Sequence, residues 1–293
     1  MRFHTMKKFL SRVLIMIFSI AVFPLNVLGA STDEPSLSQQ LRTLPMEEVV
    51  DYVKEQDVHA DTLRDALLER ELLSYQDDKE FIKHYAEDPT SAMEMIQRNV
   101  DNQLALIKEE TGVRPKTGNS TNAWIDPVLI KQKNGYYCGP CSALQAIASY
   151  GGYVAGSTNN AKQDTLAKAM GTNSSIGTYV YKVSNVLNTY ISGYSYKRGS
   201  TMSKYAFRQT VLKSLVNNKA PILHARTQYL SYYNGHASGH YICVTAINNI
   251  TDKIRLSDCN WNAAYYGTRS IPTSEAKASI SASERYLIST SLT

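Results

Sequence analysis

Four of the chain's 293 residues are cysteine and two are tryptophan, and no proline occurs between Ser142 and Ala220. After residue 30 no stretch reaches the ~18 consecutive apolar residues that a membrane-crossing helix needs, so no helical span is expected there. No low-complexity tract or internal repeat is present, and the length suits one large domain or two modest ones. Residues 36–110 lack cysteine, a glycine-rich loop and any histidine cluster, so reactive chemistry belongs to the other part of the chain.

What is present begins with a targeting segment. Lys7, Lys8 and Arg12 precede an apolar run from Val13 to Phe23, then Pro24, then small residues at Gly29 and Ala30. That order reads as a signal peptide over residues 1–30, cut after Ala30. The apolar run is short for a membrane span, and an uncleaved anchor is the alternative. No cysteine follows it, so lipid modification there is not expected. The mature protein is expected to be secreted and soluble, with no stable membrane span.

Charge divides the remainder. Ser31–Pro115 holds 9 Lys/Arg against 20 Asp/Glu, a net of −11, whereas Lys116–Thr293 holds 18 against 6, a net of +12. So sharp a boundary marks two functional parts. The acidic part reads as a small all-α unit over residues 31–111. Val49, Val50 and Val53 share one helical face, and Leu63, Leu67 and Leu68 form another stripe. His59 and His84 are expected on exposed helix surface. Gly112–Asn122, GVRPKTGNSTN, is a linker by composition and a site for proteolysis. Opposite charge should dock the acidic segment on the basic one at modest salt, as an inhibitory or folding-assisting pro-region, with a permanent helical domain as the alternative. The basic part carries no recognised nucleic-acid motif and its lysines are scattered, so no nucleic-acid partner is expected.

Residues 123–293 read as an α+β domain. Helices are expected near 139–150, 161–170, 178–190 and 203–218. Strands follow at Pro221–Ala225, His240–Ile247, Lys253–Ser257 and from Arg285. Asn248–Asp252 makes the middle two an antiparallel hairpin. Helices first and strands later place a helical layer on an antiparallel sheet. The many tyrosines after residue 135 read as packing residues, with an aromatic substrate cleft as the rival.

Three separated stretches supply groups for thiol chemistry: Gln132–Cys141 (QKNGYYCGPC), Gly239–Val244 (GHYICV) and Leu256–Trp261 (LSDCNW). Pro140 suits the first turn of a helix, which puts Cys138 at a helix N-terminus. There the free amides and the dipole stabilise a thiolate, the reactive form of the thiol. His240 starts one strand and Asp258 ends the next, so the hairpin brings an orienting carboxylate beside a base. The Gln132 side chain and the Cys138 backbone N–H are candidate oxyanion donors.

QKNGYYCGPC, with a later histidine and then an aspartate, resembles the papain-like cysteine peptidases. The Cys-Gly-Pro form, the Gly-His-Tyr strand start and the Ser-Asp strand end look closest to the bacteriocin-processing, double-glycine-leader branch in its secreted, free-standing form. The resemblance spans roughly Ile125–Leu292. It implies a papain-like domain hydrolysing a peptide or protein substrate, with Gln132 as oxyanion donor, Cys138 as nucleophile, His240 as base and Asp258 as its orienter. No metal or organic cofactor is implied. Where that branch often has Asp-Pro, this chain has Asp258-Cys259-Asn260. Membrane and nucleotide-binding domains are absent from the sequence given, so the leader-peptide substrate does not carry over. A cell-wall amidase or acyltransferase on the same fold is the alternative.

Rivals remain for individual residues. Cys138-Gly-Pro-Cys141 is also a thioredoxin-like redox motif, but that reading leaves Gln132, His240 and Asp258 without a role. A zinc site would need a second close cysteine pair, and Cys243 and Cys259 are far apart in sequence. His224 and His236 compete with His240, and Asp252 with Asp258. A Cys243–Cys259 disulfide and plain buried thiols both remain open.

Overall fold

The computed structural model describes residues 40–41, 44–56, 60–110 and 122–290. The signal segment, His59 and all of the linker except Asn122 lie outside them. Helices come first, among the described residues α1 (Met46–Gln56), α2 (Ala60–Ser74), α3 (Lys79–Glu87) and α4 (Pro89–Glu110). Val49, Val50, Leu63 and Leu67 do turn inward, forming a core with Val100, Leu106 and Ile107. Asp78 caps α3 by accepting the N–H groups of Glu80 and Phe81, which satisfies donors that have no intrahelical partner.

The rest is helix on antiparallel sheet. Strand β1 (Asn122–Trp124) leads to α5 (Cys138–Tyr150), α6 (Asn159–Met170) and α7 (Val180–Tyr190). Then come β2 (Ser195–Arg198), α8 (Lys204–Val216), β3 (Ile222–Arg226), β4 (Gly239–Asn248), β5 (Lys253–Asp258), β6 (Gly267–Pro272), α9 (Thr273–Ser281) and β7 (Tyr286–Ser289). The sheet runs β2-β7-β3-β4-β5-β6, with β1 also on β4, and every pairing is antiparallel. The expected β4–β5 hairpin forms, with a register shift between Val244 and Ala246. Strands β1, β2 and β6 and helix α9 are not evident in the sequence. The first two are short, and β6 alternates buried and exposed positions only weakly.

Leu37–Thr293 make one compact unit. Residues of α2, of α4 and of the turn before α3 cover β2, an edge strand that would otherwise offer unpaired backbone to solvent. Tyr75 donates its hydroxyl to the Tyr196 carbonyl, and the Ser195 hydroxyl donates to Asn99 Oδ1 at 2.7 Å. Asp78 accepts from Arg198 Nε at 3.3 Å and from the Tyr286 hydroxyl at 2.8 Å. His84 corrects the expectation of an exposed helix residue. It is buried, with Nδ1 3.0 Å from the Tyr196 hydroxyl, Nε2 3.1 Å from Ser91 Oγ, and its ring stacked on Tyr181. Helical spacing identified its face, but which face meets the sheet is a tertiary property. Burial, the larger effect, lowers its pKa to about 4.

Candidate active site

Helix α5 carries Cys138 at its first residue and packs on β4. Pro140 sits in the first turn, and no side chain caps this end, so the leading amides face whatever occupies the space beside the thiol. Gly139 is required by contact: a side-chain carbon there would lie 2.8 Å from Thr178 Oγ1. Gly151 ends the helix in the left-handed conformation, at φ 88°, where glycine carries no steric penalty. Residues Gly139–Ile147 are buried, so the helix is held on all sides and its N-terminus is rigid.

His240 lies at the second position of β4 and Asp258 at the end of β5. The hairpin brings them together: His240 Nε2 is 2.9 Å from Asp258 Oδ1, with the residues 4% and 0% exposed. The Asp258 carboxylate is held by three further donors. Tyr232 and Tyr233 hydroxyls reach Oδ2 at 2.8 Å each, and the Asn260 amide reaches Oδ1 at 2.9 Å. Burial alone would push the carboxyl up. The His240 charge and the donated hydrogen bonds outweigh it, so its pKa falls below the usual carboxylate range. Burial likewise opposes charge on His240, but the Asp258 charge and hydrogen bonds to Asp258, Cys138 and Cys259 raise its pKa well above the ordinary value. The Asp258 carboxylate thus favours the protonated form of His240, and it engages Nε2, leaving Nδ1 as the ring's other polar atom.

Gln132 is buried at 4% exposure. Its backbone N–H donates to the Cys259 carbonyl at 2.7 Å, and its Oε1 faces the Cys259 thiol at 3.7 Å. Its Nε2 donates to the Asn134 carbonyl at 2.6 Å, leaving one N–H of the amide for another acceptor.

The rival residues separate. His224 stacks between Tyr241 and Tyr286, at 4.5 and 5.9 Å between ring centroids; burial and the Arg285 charge depress its pKa. His236 is exposed and stacks on Tyr265. Asp252 sits in the β4–β5 turn, 2.9 Å from Lys204 Nζ and 3.6 Å from Arg208 Nη1. Neither histidine stands beside Asp258 as His240 does.

Cys259 went unrecognised by sequence reasoning. All four cysteines are free thiols. The Cys243 thiol donates to the Ser142 carbonyl at 3.0 Å, whereas Cys259 Sγ lies 3.7 Å from the Tyr241 carbonyl and 3.8 Å from that of Cys138. Burial pushes the Cys259 thiol up, yet hydrogen bonds with Cys141 and His240 and the imidazolium charge bring it down to about 6. That acidity does not make it the nucleophile: Cys259 is 0% exposed, while half-buried Cys138 lines a cleft of about 680 Å³. Tyr232 and Tyr233, which anchor Asp258, were also missed. The only sequence signal was a tyrosine pair in a segment that read as a loop.

Residues 125–286 match the Peptidase_C39 like family. This chain belongs to that family of C39-like, papain-like cysteine peptidases. Among solved structures, a double glycine motif protease from an AMS/PCAT transporter, crystallised with the leader peptide, is similar at 15% identity and a TM-score of 0.37, over 57% of this chain and 94% of that one. No curated protein matches the sequence. The C39-like match begins just after β1 ends and stops at the first residue of β7, so it takes in Gln132, Cys138, His240 and Asp258 but none of α1–α4. Among the described residues no helix is long and apolar enough to cross a membrane.

Proposed function

We propose that this C39-like protein is an exported cysteine peptidase in which Cys138 attacks a peptide carbonyl. The observation that carries this is the placement of Cys138 at the uncapped start of α5, on a cleft, in hydrogen-bonding reach of His240, whose Nε2 is held by Asp258 at 2.9 Å. His240 takes the thiol proton, or already holds it as imidazolium, and returns it to the leaving amine. Water then attacks the thioester, His240 again takes a proton, and the acid product leaves with Cys138 restored. Asp258 holds the ring in one tautomer and stabilises its charge. The developing oxyanion faces the Cys138 N–H and the remaining N–H of Gln132.

Replacing Cys138 or His240 by alanine should abolish hydrolysis with the circular-dichroism spectrum unchanged. Peptide hydrolysis retained by Cys138→Ala would sink the assignment. Peptidoglycan supplied in parallel separates the peptidase from a cell-wall amidase, since the same groups attack either amide.

Export and maturation belong to the same reading. The signal segment ends at Ala30, and the Gly112–Asn122 linker joins an acidic to a basic half. We place a maturation cut in that linker, made by Cys138 of the same or another copy. The helices stay attached after it, because Glu71, Asp78 and Asn99 bond to β2 and β7 through buried contacts. Intact mass over time, for residues 31–293 beside the Cys138→Ala variant, reads the cut directly. A wild-type chain that stays whole rejects self-processing.

A further inference from the structure

The cleft beside Cys138 holds an arginine that forms no ion pair with a carboxylate among the described residues. Arg285, the residue before β7, lines it. Its Nη2 stands beside Gly239, where a side-chain carbon would be 3.0 Å away. Its Nη1 donates to the Glu284 carbonyl at 2.7 Å, and its Nε is buried without an acceptor. Among the described residues no carboxylate side chain forms an ion pair with it. Arg226 lies directly opposite Gly239 in the β3–β4 register, also without a carboxylate partner among the described residues. The Arg226 charge acts on Arg285 more strongly than the opposing charge of Glu284, whose carboxylate is paired with Lys79. The other charges in the cleft are engaged. Lys79 pairs with Glu284 at 2.9 Å, Lys83 lies 3.7 Å over the Tyr179 ring, and Glu80 accepts the Val180 N–H at 3.2 Å.

Partly buried arginines without a counter-ion are uncommon, because desolvation of the charge is then uncompensated. The guanidinium presents a planar fork of donors that matches a carboxylate. We propose that Arg285, flanked by Arg226, is a carboxylate subsite of the cleft, and that the preferred peptide bears an acidic group near the bond presented to Cys138. This rests on the peptidase reading of Cys138. The facing wall is built by Lys79, Glu80 and Lys83 of α3, so the helical segment shapes the same subsite and its presence is part of selectivity.

The test uses binding, which does not depend on turnover. Immobilised Cys138→Ala protein is presented with an equimolar pool of acetylated, amidated heptapeptides carrying Glu or Gln at one position at a time. Matched peptides with a free C-terminal carboxylate form a second pool. We expect about tenfold enrichment of Glu over Gln at one position, the scale of a charge-assisted pair. Arg285→Gln should remove it, and Arg285→Lys should keep only part of it. Enrichment confined to free C-termini would assign the subsite to the terminal carboxylate. No acid preference in either pool overturns the proposal. So does a preference that Arg285→Gln and Arg226→Gln both leave unchanged while their melting temperatures match the parent. Acid-selective binding with no hydrolysis of the same peptides by wild type would instead sink the peptidase reading and leave the subsite standing.

Discussion

Lys197 Nζ lies 2.7 Å from Glu71 Oε2, at 7% and 1% side-chain exposure. One residue belongs to strand β2 and the other to helix α2. Glu71 also accepts the side-chain amides of Asn99 and Gln103, at 2.8 and 2.7 Å. An ion pair so far from water ties the acidic helices to the sheet in a way that salt does little to screen.

Removing one partner leaves the other charge buried and uncompensated. Glu71→Ala should therefore destabilise the protein by about 3–5 kcal/mol. A urea unfolding curve checks it. A loss below about 0.5 kcal/mol, the range of ordinary surface changes, would mean that water reaches the pair.

The two thiols near His240 should behave oppositely. Iodoacetamide should alkylate Cys138 in the native protein and leave buried Cys259 unmodified, as peptide mapping by mass spectrometry would show. Cys138→Ser should lose turnover, whereas Cys259→Ser should retain it to within about tenfold, since it removes a neighbour of His240 and not the attacking atom. Inactivity of Cys259→Ser with Cys138→Ser active would reverse the assignment.

Asp258→Asn keeps one oxygen that can accept the His240 N–H, but it removes the charge that stabilises the imidazolium and puts an N–H donor where the carboxylate had a second acceptor. The fall in kcat should be about 10³–10⁴-fold, the scale seen when an orienting carboxylate is neutralised in other triads. Tyr233→Phe removes one of four donors and should cost far less, within about tenfold. Equal losses for the two would indicate that Tyr233 itself acts on the substrate.

Glu80 gives the protein a distinctive pH dependence. Burial, the leading cause, raises its pKa from 4.5 to about 7 in the folded state. A raised folded-state value means stability that is fully present below pH ~4.5 and lost as pH climbs through about 7. Glu80→Gln removes that loss. Its melting temperature should match wild type at pH 5 and exceed it at pH 8, by an amount corresponding to roughly 1–2 kcal/mol. A difference that is the same at both pH values would show that Glu80 is solvated normally.

The order Gln132, Cys138, His240, Asp258 was legible in the sequence because each group sits where a local rule puts it. Pro140 starts a helix, short runs rich in β-branched and aliphatic residues write β4 and β5, and a short turn joins them into a hairpin. Those are short-range effects, as is the amphipathic spacing that reveals α1 and α2. Tertiary structure alone decided what lies between them. His84 reads as surface until a sheet edge covers its face. Cys259 reads as a spare thiol until the fold sets it under His240. Tyr232 and Tyr233 reach Asp258 from a segment 25 residues earlier, and Arg285 meets Gly239 only because β7 inserts between β2 and β3. No periodicity along the chain encodes such meetings, since they depend on which strand becomes a neighbour, and that is set by the burial of the whole core at once.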